Sequence, residues 1–285
     1  MTEFIKQQRF TGERSLFNSC DLDIEDSVFE DGESPLKESR NLTIKDSIFR
    51  WKYPLWYCND VTAENMTLTE SARSGIWYTN HLTIKNSLIQ APKTFRRSSH
   101  VRLEHVVLAD AQETFWNCHD IELLDVQATG NYFGMNSENI TAHRFQLSGN
   151  YAFDGAKNIE IHDSKLLSKD AFWNCENVTV YNSTIIGEYL GWNSKNLRFV
   201  NCYIESEQGM CYVEDLLVDG GKIINTDLAF EYSTVEVVVN STIDSVKNPI
   251  SGHISAKEIK ELILDPEQIS PEATTIQIKD CAAAS

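Results

Sequence analysis

The amino-acid sequence predicts an all-β fold: a right-handed, single-stranded parallel β-helix of about twelve coils with a cap at each end. Two observations carry this prediction. One nine-residue pattern returns along the chain at intervals of 19 to 21 residues, and apolar and polar residues alternate within each copy. The clearest copies are NVTVYNSTI at 177–185, NLTIKDSIF at 41–49, HLTIKNSLI at 81–89, NIEIHDSKL at 158–166 and NLRFVNCYI at 196–204. Repeats of this length stack into a solenoid.

Each repeat is numbered here from its first residue, called the anchor. The first and third residues after the anchor are apolar, as at Val178 and Val180, which predicts a strand with one buried face. A second short strand follows, and a third is expected before the anchor, as at 172–175. Three strands in about 19 residues leave only tight corners, so each coil lies on the next. The right hand follows from the general rule for parallel crossovers.

A leucine-rich repeat is the rival fold, because Val178, Val180, Ser183 and Ile185 fit its spacing. That fold needs at least about 20 residues per unit and usually a helical return. Here the return carries Trp, Asn and Cys among β-forming residues, so the sequence favours the β-helix.

The anchors are predicted to form a ladder of stacked side chains at one corner of the solenoid. An Asn or Asp at a corner bonds turn backbone and tolerates a left-handed conformation. The Asn and Asp anchors are Asp21, Asn41, Asp60, Asp120, Asn139, Asn158, Asn177, Asn196 and Asp215.

The two ends of the chain depart from the repeat. Residues 1–20 are expected to form an N-terminal cap and the entry to the first coil, since an uncovered edge invites pairing with another chain. Residues 21–245 form the predicted repeat domain. The period fails after Thr234, and Pro249 and Pro266 break the pattern. Residues 246–285 are therefore expected to form a final irregular coil, a C-terminal cap and a tail that frays at 282–285.

The net charge and the composition limit the classes of partner that we expect this protein to bind. The formal net charge is −17, which argues against nucleic acid, anionic membranes and polyanionic substrates. The start, MTEFIKQQRF, lacks the features of a signal peptide, and no apolar run is long enough to span a membrane. We therefore expect a cytoplasmic protein.

The seven cysteines include no CxxC pair, so neither a metal site nor a cofactor is expected. Cys58, Cys118 and Cys175 share one position of the repeat and lie three repeats apart, too far for a disulfide. They are predicted to be small buried residues.

Five of the six tryptophans fall four residues before an anchor, and the next position holds mainly Tyr and Asn. Charged residues also occur in these two columns, so they are expected to face outward. Aromatic rings with neighbouring amides suit sugars, because pyranose rings stack on aromatic faces while amides bond hydroxyls. The alternative is that the rings stack on one another or face a partner chain. The candidate substrate-binding residues are Trp56, Tyr57, Trp77, Tyr78, Arg96, Arg97, Trp116, Asn117, Trp173, Asn174, Trp192 and Asn193.

Asp154 takes the tryptophan position in its own repeat and is the candidate catalytic residue. Together with Glu113, Asp170 or Glu188 at the preceding corner, and with Arg96 and Arg97 three coils away, it could supply the paired carboxylates of a glycosidase. Carboxylates at corners are usually only solvated, which is the simpler interpretation.

Several motifs resemble a bacterial family grouped as domain of unknown function 3737. They are TGERSLF at 11–17, PLWYC at 54–58, and the two FWNC copies at 115–118 and 172–175. The resemblance covers nearly the whole chain. It implies a pectin-lyase-like β-helix, and the family brings no established activity.

Two functional hypotheses follow. The first is binding or processing of a neutral oligosaccharide along the aromatic column. The alternative is a non-enzymatic interaction scaffold or a homo-oligomer that buries the same column.

Overall fold

The computed structural model describes residues 2–278, so the predicted frayed tail lies outside the described residues. Regular structure is almost entirely β-strand, with one 3-10 helix at Pro271–Ala273. The chain divides into two compact units, Met1–Ser148 and Gly149–Ser285. Within residues 2–278, no helix has the length and apolar character needed to cross a membrane.

The first unit contains two parallel sheets whose strands follow one another in chain order. The long sheet comprises Glu3–Lys6, Cys20–Glu25, Arg40–Lys45, Asn59–Glu64, Asn80–Lys85, Ser99–Glu104, His119–Leu124 and Glu138–His143. The short sheet comprises Arg9–Thr11, Val28–Glu30, Ile48–Phe49, Thr67–Leu68, Leu88–Ile89, Val107–Leu108, Gln127–Thr129 and Gln146–Ser148. A further pair joins Ile76–Trp77 to Phe95–Arg96.

The second unit repeats the arrangement. Its long sheet comprises Lys157–His162, Glu176–Tyr181, Lys195–Val200, Glu214–Asp219, Thr234–Val238, Ser251–Ala256 and Thr274–Ile278. Its short sheet comprises Lys165–Leu167, Thr184–Glu188, Tyr203–Glu207 and Lys222–Ile224. Thr242–Lys247 pairs separately with Glu258–Ile263.

The predicted parallel β-solenoid is confirmed. Val178 pairs with Leu197 and Val180 with Phe199, so residues 19 apart are neighbours on successive coils. The coil number is higher than the expected twelve, since eight long strands lie in the first unit and seven in the second. Strands also form in the terminal segments expected to be caps, at Glu3–Lys6 and at Thr274–Ile278.

The prediction of a third strand in every coil is wrong. In the first unit this side forms paired strands at Ile76–Trp77 and Phe95–Arg96, and Arg96 also bridges to Trp116. In the second unit Ala229 bridges to Val246, and most other described coils have a run of turns here. The reason is a left-handed backbone at alternate positions, for example φ of 58° at Phe172 and 54° at Asn174. These turns still bond the neighbouring coils, because the Asn174 N–H donates to the Trp192 carbonyl at 2.9 Å.

The core is built from stacked columns of side chains. Phe95 and Phe115 are fully buried, and their rings stack at a centroid distance of 4.4 Å. Cys58, Cys118 and Cys175 are buried and unpaired, as predicted. Burial raises the pKa of the Cys58 and Cys118 thiols to about 12, so these groups stay protonated and inert.

The anchor ladder is also confirmed. The anchors have left-handed φ values, such as 60° at Asn177. In the second unit the Asn196 amide donates to Asn177 Oδ1 at 2.8 Å, and Asn177 donates to Asn158 Oδ1 at 3.0 Å. These side chains bond one another along the corner, which gives them a structural role.

Candidate functional site

The tryptophan column of the first unit is a closed stack. Trp56 and Trp77 are nearly parallel, with ring centroids 5.2 Å apart. The Arg96 guanidinium lies between Trp77 and Trp116, 4.7 Å and 4.6 Å from the two ring centroids. Arg96 also forms an ion pair with Glu113 at 3.3 Å. Arginine therefore takes the place of an indole in the stack, held by cation–π attraction.

The polar atoms of this stack are occupied as well. The indole N–H groups of Trp56, Trp77 and Trp116 donate to backbone carbonyls at 2.5, 2.8 and 2.7 Å. All three side chains are half-buried. Neighbouring side chains thus cover both faces of Trp77, and its edge alone is presented outward.

The next column of the first unit is more exposed but also stacked. Tyr57 and Tyr78 are parallel, with centroids 4.6 Å apart. Lys37 lies 5.5 Å from the Tyr57 ring and Arg97 lies 5.9 Å from the Tyr78 ring, one at each end. Asn117, two coils beyond Tyr78, is exposed.

The second unit brings its candidate residues together differently. Trp173 and Trp192 are tilted by 56° at 5.6 Å, so they do not form a parallel stack. The Asn193 amide donates to Asn174 Oδ1 at 2.8 Å, and the Asn174 amide donates to Asp154 Oδ1 at 2.8 Å. Asp154 is therefore tied to the exposed asparagine row rather than to another ring.

This asparagine row borders an open groove of about 590 Å³ within the second unit. Three consecutive residues per coil build it, pointing outward, inward and outward, as exposed Asn193, buried Ser194 and exposed Lys195 illustrate. One wall is the row Asn174, Asn193 and Tyr212. The floor contains Cys175 and Ser194. The other wall is the row Lys157, Glu176, Lys195 and Glu214.

The charges of the second wall alternate along the solenoid. Lys157 lies 3.4 Å from Glu176, and Lys195 lies 2.9 Å from Glu214. The wall therefore carries two cations and two anions that neutralise each other in pairs. Tyr212, opposite this wall, keeps 45% of its surface exposed. The groove thus offers amides, paired charges and one aromatic ring to solvent.

Asp154 has a second carboxylate nearby. Asp170 is only 7% exposed and is the one acidic residue that is buried within residues 2–278. Burial raises the pKa of the Asp170 carboxyl; Lys169 and Tyr151 lower it in part, and the charges of Glu188 and Asp154 raise it. Burial is the largest of these causes and the charge of Asp154 the smallest, so the raised pKa reflects the buried position of Asp170 more than its neighbour Asp154.

One acidic cluster in the first unit has the spacing of a cation site. Carboxylate oxygens of Glu25, Asp26 and Asp46 lie within 4.8 Å of one another. The Lys6 ammonium lies 2.6 Å from Glu25 and 3.8 Å from Asp26. A lysine thus already supplies the positive charge at this cluster.

Sequence reasoning identified Asn174 and Asn193 but missed the facing wall of the groove. The signal was present, since the position just before the anchor alternates Lys157, Glu176, Lys195, Glu214 at intervals of 19 residues. The sequence-based set of candidates also omitted Tyr212, although Tyr212 occupies in its own repeat the position that Tyr57 and Asn193 occupy in theirs.

Together, these features define a parallel β-solenoid protein with a neutral, polar groove on one corner of its second unit. The family model described as "Protein of unknown function (DUF3737)" matches residues 3–277, and the chain belongs to this family. The resemblance seen in the sequence motifs is thereby confirmed.

Two solved structures are similar at low sequence identity. One is PfbA, a surface adhesin of Streptococcus pneumoniae, with 9% identity, a TM-score of 0.47, and coverage of 90% of this chain and 82% of that chain. The other is the A-module of mannuronan C-5 epimerase AlgE4 of Azotobacter vinelandii, with 10% identity, a TM-score of 0.34, and coverage of 98% and 89%. Likeness at this level carries no argument about activity. The comparison with curated proteins found no match.

Proposed function

We propose that this protein binds a neutral oligosaccharide in the groove between the Asn174–Asn193–Tyr212 row and the Lys157–Glu214 row. The observation that carries the proposal is the combination of two exposed amides and an exposed tyrosine ring along one open, polar groove. Amides bond hydroxyl groups in either direction, and an aromatic face packs against the C–H face of a pyranose.

The charge pattern supports a neutral ligand. A polyanion running along the groove would pass Glu176 and Glu214 as well as the two lysines, and those lysines are already paired. If a lysine left its glutamate to bind a carboxylate of the ligand, the free energy lost with the first ion pair would be about the same as that gained from the second. Hydroxyl groups accept bonds from lysine and donate bonds to glutamate without disrupting either pair.

The proposal differs in place from the aromatic column predicted along the whole chain. In the first unit the faces of Trp77 are covered by Trp56 and Arg96, so a sugar ring would have to displace one of them. The ligand-binding role of that column stays a prediction. In the groove of the second unit, Trp192 and Tyr232 lie 5.6 Å and 5.5 Å from the Tyr212 ring, but they meet it at 60° and 45° and do not stack in parallel on its face.

The test is isothermal titration calorimetry of the full chain with neutral cello-, xylo-, laminari- and malto-oligosaccharides. We expect Tyr212→Ala to weaken binding about tenfold through loss of ring stacking, and Asn193→Ala about fivefold through loss of one hydrogen bond. Trp51→Ala is the control, because Trp51 is a partly exposed ring of the first unit, at 37%, that lies outside the candidate binding residues. Absence of binding by every tested sugar, or equal affinities for all four proteins, would refute the proposal.

A reducing-end assay on the same oligosaccharides tests whether the protein also hydrolyses the sugar. In this extension of the proposal, Asp154 takes a proton from water as the oxygen of that water bonds to the anomeric carbon, the bond from the anomeric carbon to the glycosidic oxygen breaks, and solvent gives the proton to the leaving oxygen. We expect Asp154→Asn to retain sugar binding while new reducing ends no longer form. Bound sugar that the wild-type protein leaves intact would reduce the function to binding alone.

A non-enzymatic scaffold is the second candidate, and the closed stack of the first unit favours it. Rings that stack on one another join successive coils along the side of the solenoid, which is a structural role. A homo-oligomer that buries this column predicts a particle larger than one chain in solution scattering. A monomer would exclude self-association.

A further inference from the structure

We infer that the groove of the second unit holds an extended, equatorially linked glycan that lies along the solenoid axis with one sugar residue per coil. This inference rests on the proposed function and adds the linkage class and the direction of the ligand. It assigns three consecutive sugar positions, at the coils of Asn174, Asn193 and Tyr212.

The first argument is periodicity. The groove presents one polar or aromatic side chain per wall on each coil, because its walls come from equivalent positions of successive repeats. Successive coils in a β-solenoid lie about 4.8 Å apart. A ligand that uses the groove along its length must therefore repeat its own polar groups at about this distance.

The second argument is the shape of sugars. A pyranose linked through equatorial oxygens advances by about one ring length per residue along a nearly straight line, which is close to the spacing of the coils. It presents hydroxyl groups at both edges of the chain, toward both walls. An α-1,4-linked glucan curves, so its successive residues leave a straight groove after the first contacts.

The third argument is the hydrogen-bonding capacity of the asparagine row. An amide NH₂ has two donor hydrogens. In each of Asn174 and Asn193 one donor is directed along the row, to Asp154 Oδ1 and Asn174 Oδ1 respectively, at 2.8 Å. These bonds fix the amide planes, so the second donor of each amide is held at the same orientation on two successive coils. A fixed, repeated donor favours a ligand with the same repeat.

The row also has a defined length. Below Asn174 the same position is Gly155, which offers no side chain, and the ladder ends on Asp154. Above it, Tyr212 contacts Tyr232 at 5.5 Å, and the Tyr232 hydroxyl bonds Gln268. Three coils therefore contribute a residue to both walls, whereas the preceding coil contributes only Lys157, so three sugar residues should lie between the two walls.

The test is calorimetric titration of the full wild-type chain with cello-oligosaccharides and malto-oligosaccharides of one to five residues. We expect the cello-series affinity to rise about fivefold for each residue up to three, as one net hydrogen bond is added, and then to level off. The malto-series should level off after one or two residues. Asn193→Ala, at the middle position, should bring the cellotriose affinity down close to that of cellobiose, and Trp51→Ala, outside the candidate binding residues, should leave the series unchanged.

The wild-type series needs no variant, so a folding defect of Asn193→Ala cannot hide the result. Equal affinities for the two series at three residues, or an affinity independent of length, would overturn the one-residue-per-coil arrangement while leaving sugar binding intact. Failure of every tested sugar to bind would instead overturn the proposed function on which the arrangement rests.

Discussion

Replacing Trp77 with alanine is expected to lower the free energy of unfolding by about 2–3 kcal/mol. The indole is half-buried, packs on Trp56 with centroids 5.2 Å apart, and carries the Arg96 guanidinium on its other face. Its N–H bonds the Lys93 carbonyl at 2.8 Å. The substitution removes the contacts of the ring with both Trp56 and Arg96, and it leaves the Lys93 carbonyl without the indole hydrogen bond. Urea denaturation followed by circular dichroism measures the change.

Trp51→Ala is the matched control for this prediction. Trp51 lies in the same unit, is 37% exposed, and has the Lys52 ammonium 5.1 Å from its ring centroid. Its removal should cost well under about 1 kcal/mol, as for other surface residues. Equal losses from the two substitutions would show that the stack contributes nothing to stability. In a double-mutant cycle, Trp77→Ala and Arg96→Ala should be less than additive, because each removes the same contact.

Replacing Phe115 with alanine should have the larger effect, a loss of about 3–5 kcal/mol in the free energy of unfolding. The Phe115 ring is fully buried, stacks on Phe95 at 4.4 Å and meets the edge of Phe133 at 5.4 Å. Its removal leaves a cavity between neighbouring coils, and the sheets on either side prevent the coils from closing it. Urea denaturation gives the equilibrium value, and hydrogen exchange should show the loss of protection spreading from the coil of Phe115.

Phe17→Ala serves as the comparison, because that ring is 38% exposed and lies against Arg14 at 5.4 Å. We expect it to cost less than about 1 kcal/mol. A loss for Phe115→Ala as small as that of Phe17→Ala would mean that the column of rings is not the stabilising core of the first unit.

The sequence was most informative where a residue type has one physical reason to recur. The alternation of Val178 and Val180 predicts a strand with one buried face, and Asn177 at the anchor predicts a corner with a left-handed backbone. The interior columns and the buried cysteines follow from the same alternation. The third strand was misjudged because Phe172, Trp173 and Asn174 alternate in character as a strand does. The same alternation of buried and exposed side chains also arises when successive residues alternate between right-handed and left-handed backbone conformations.

The candidate site was predictable only in part. The columns of Trp, Tyr and Asn are visible from the repeat numbering alone. Whether a ring offers its face or covers a neighbour depends on side-chain torsions: Trp56 stacks on the equivalent Trp77, whereas Trp192 is tilted against the equivalent Trp173 and stacks on Tyr189 instead. The Lys and Glu wall was visible as a pattern, but its meaning depends on the groove opposite.

By itself, the sequence determined the repeat length, the parallel stacking of coils, the buried face of each strand and the anchor ladder. These follow from local chemistry repeated at a fixed interval, because stacking identical units leaves little freedom in how they pair. Only the tertiary structure decided which column is closed by its own stacking and which borders an open groove. That outcome depends on contacts between side chains 16 to 20 residues apart, whose geometry is set by packing rather than by residue type.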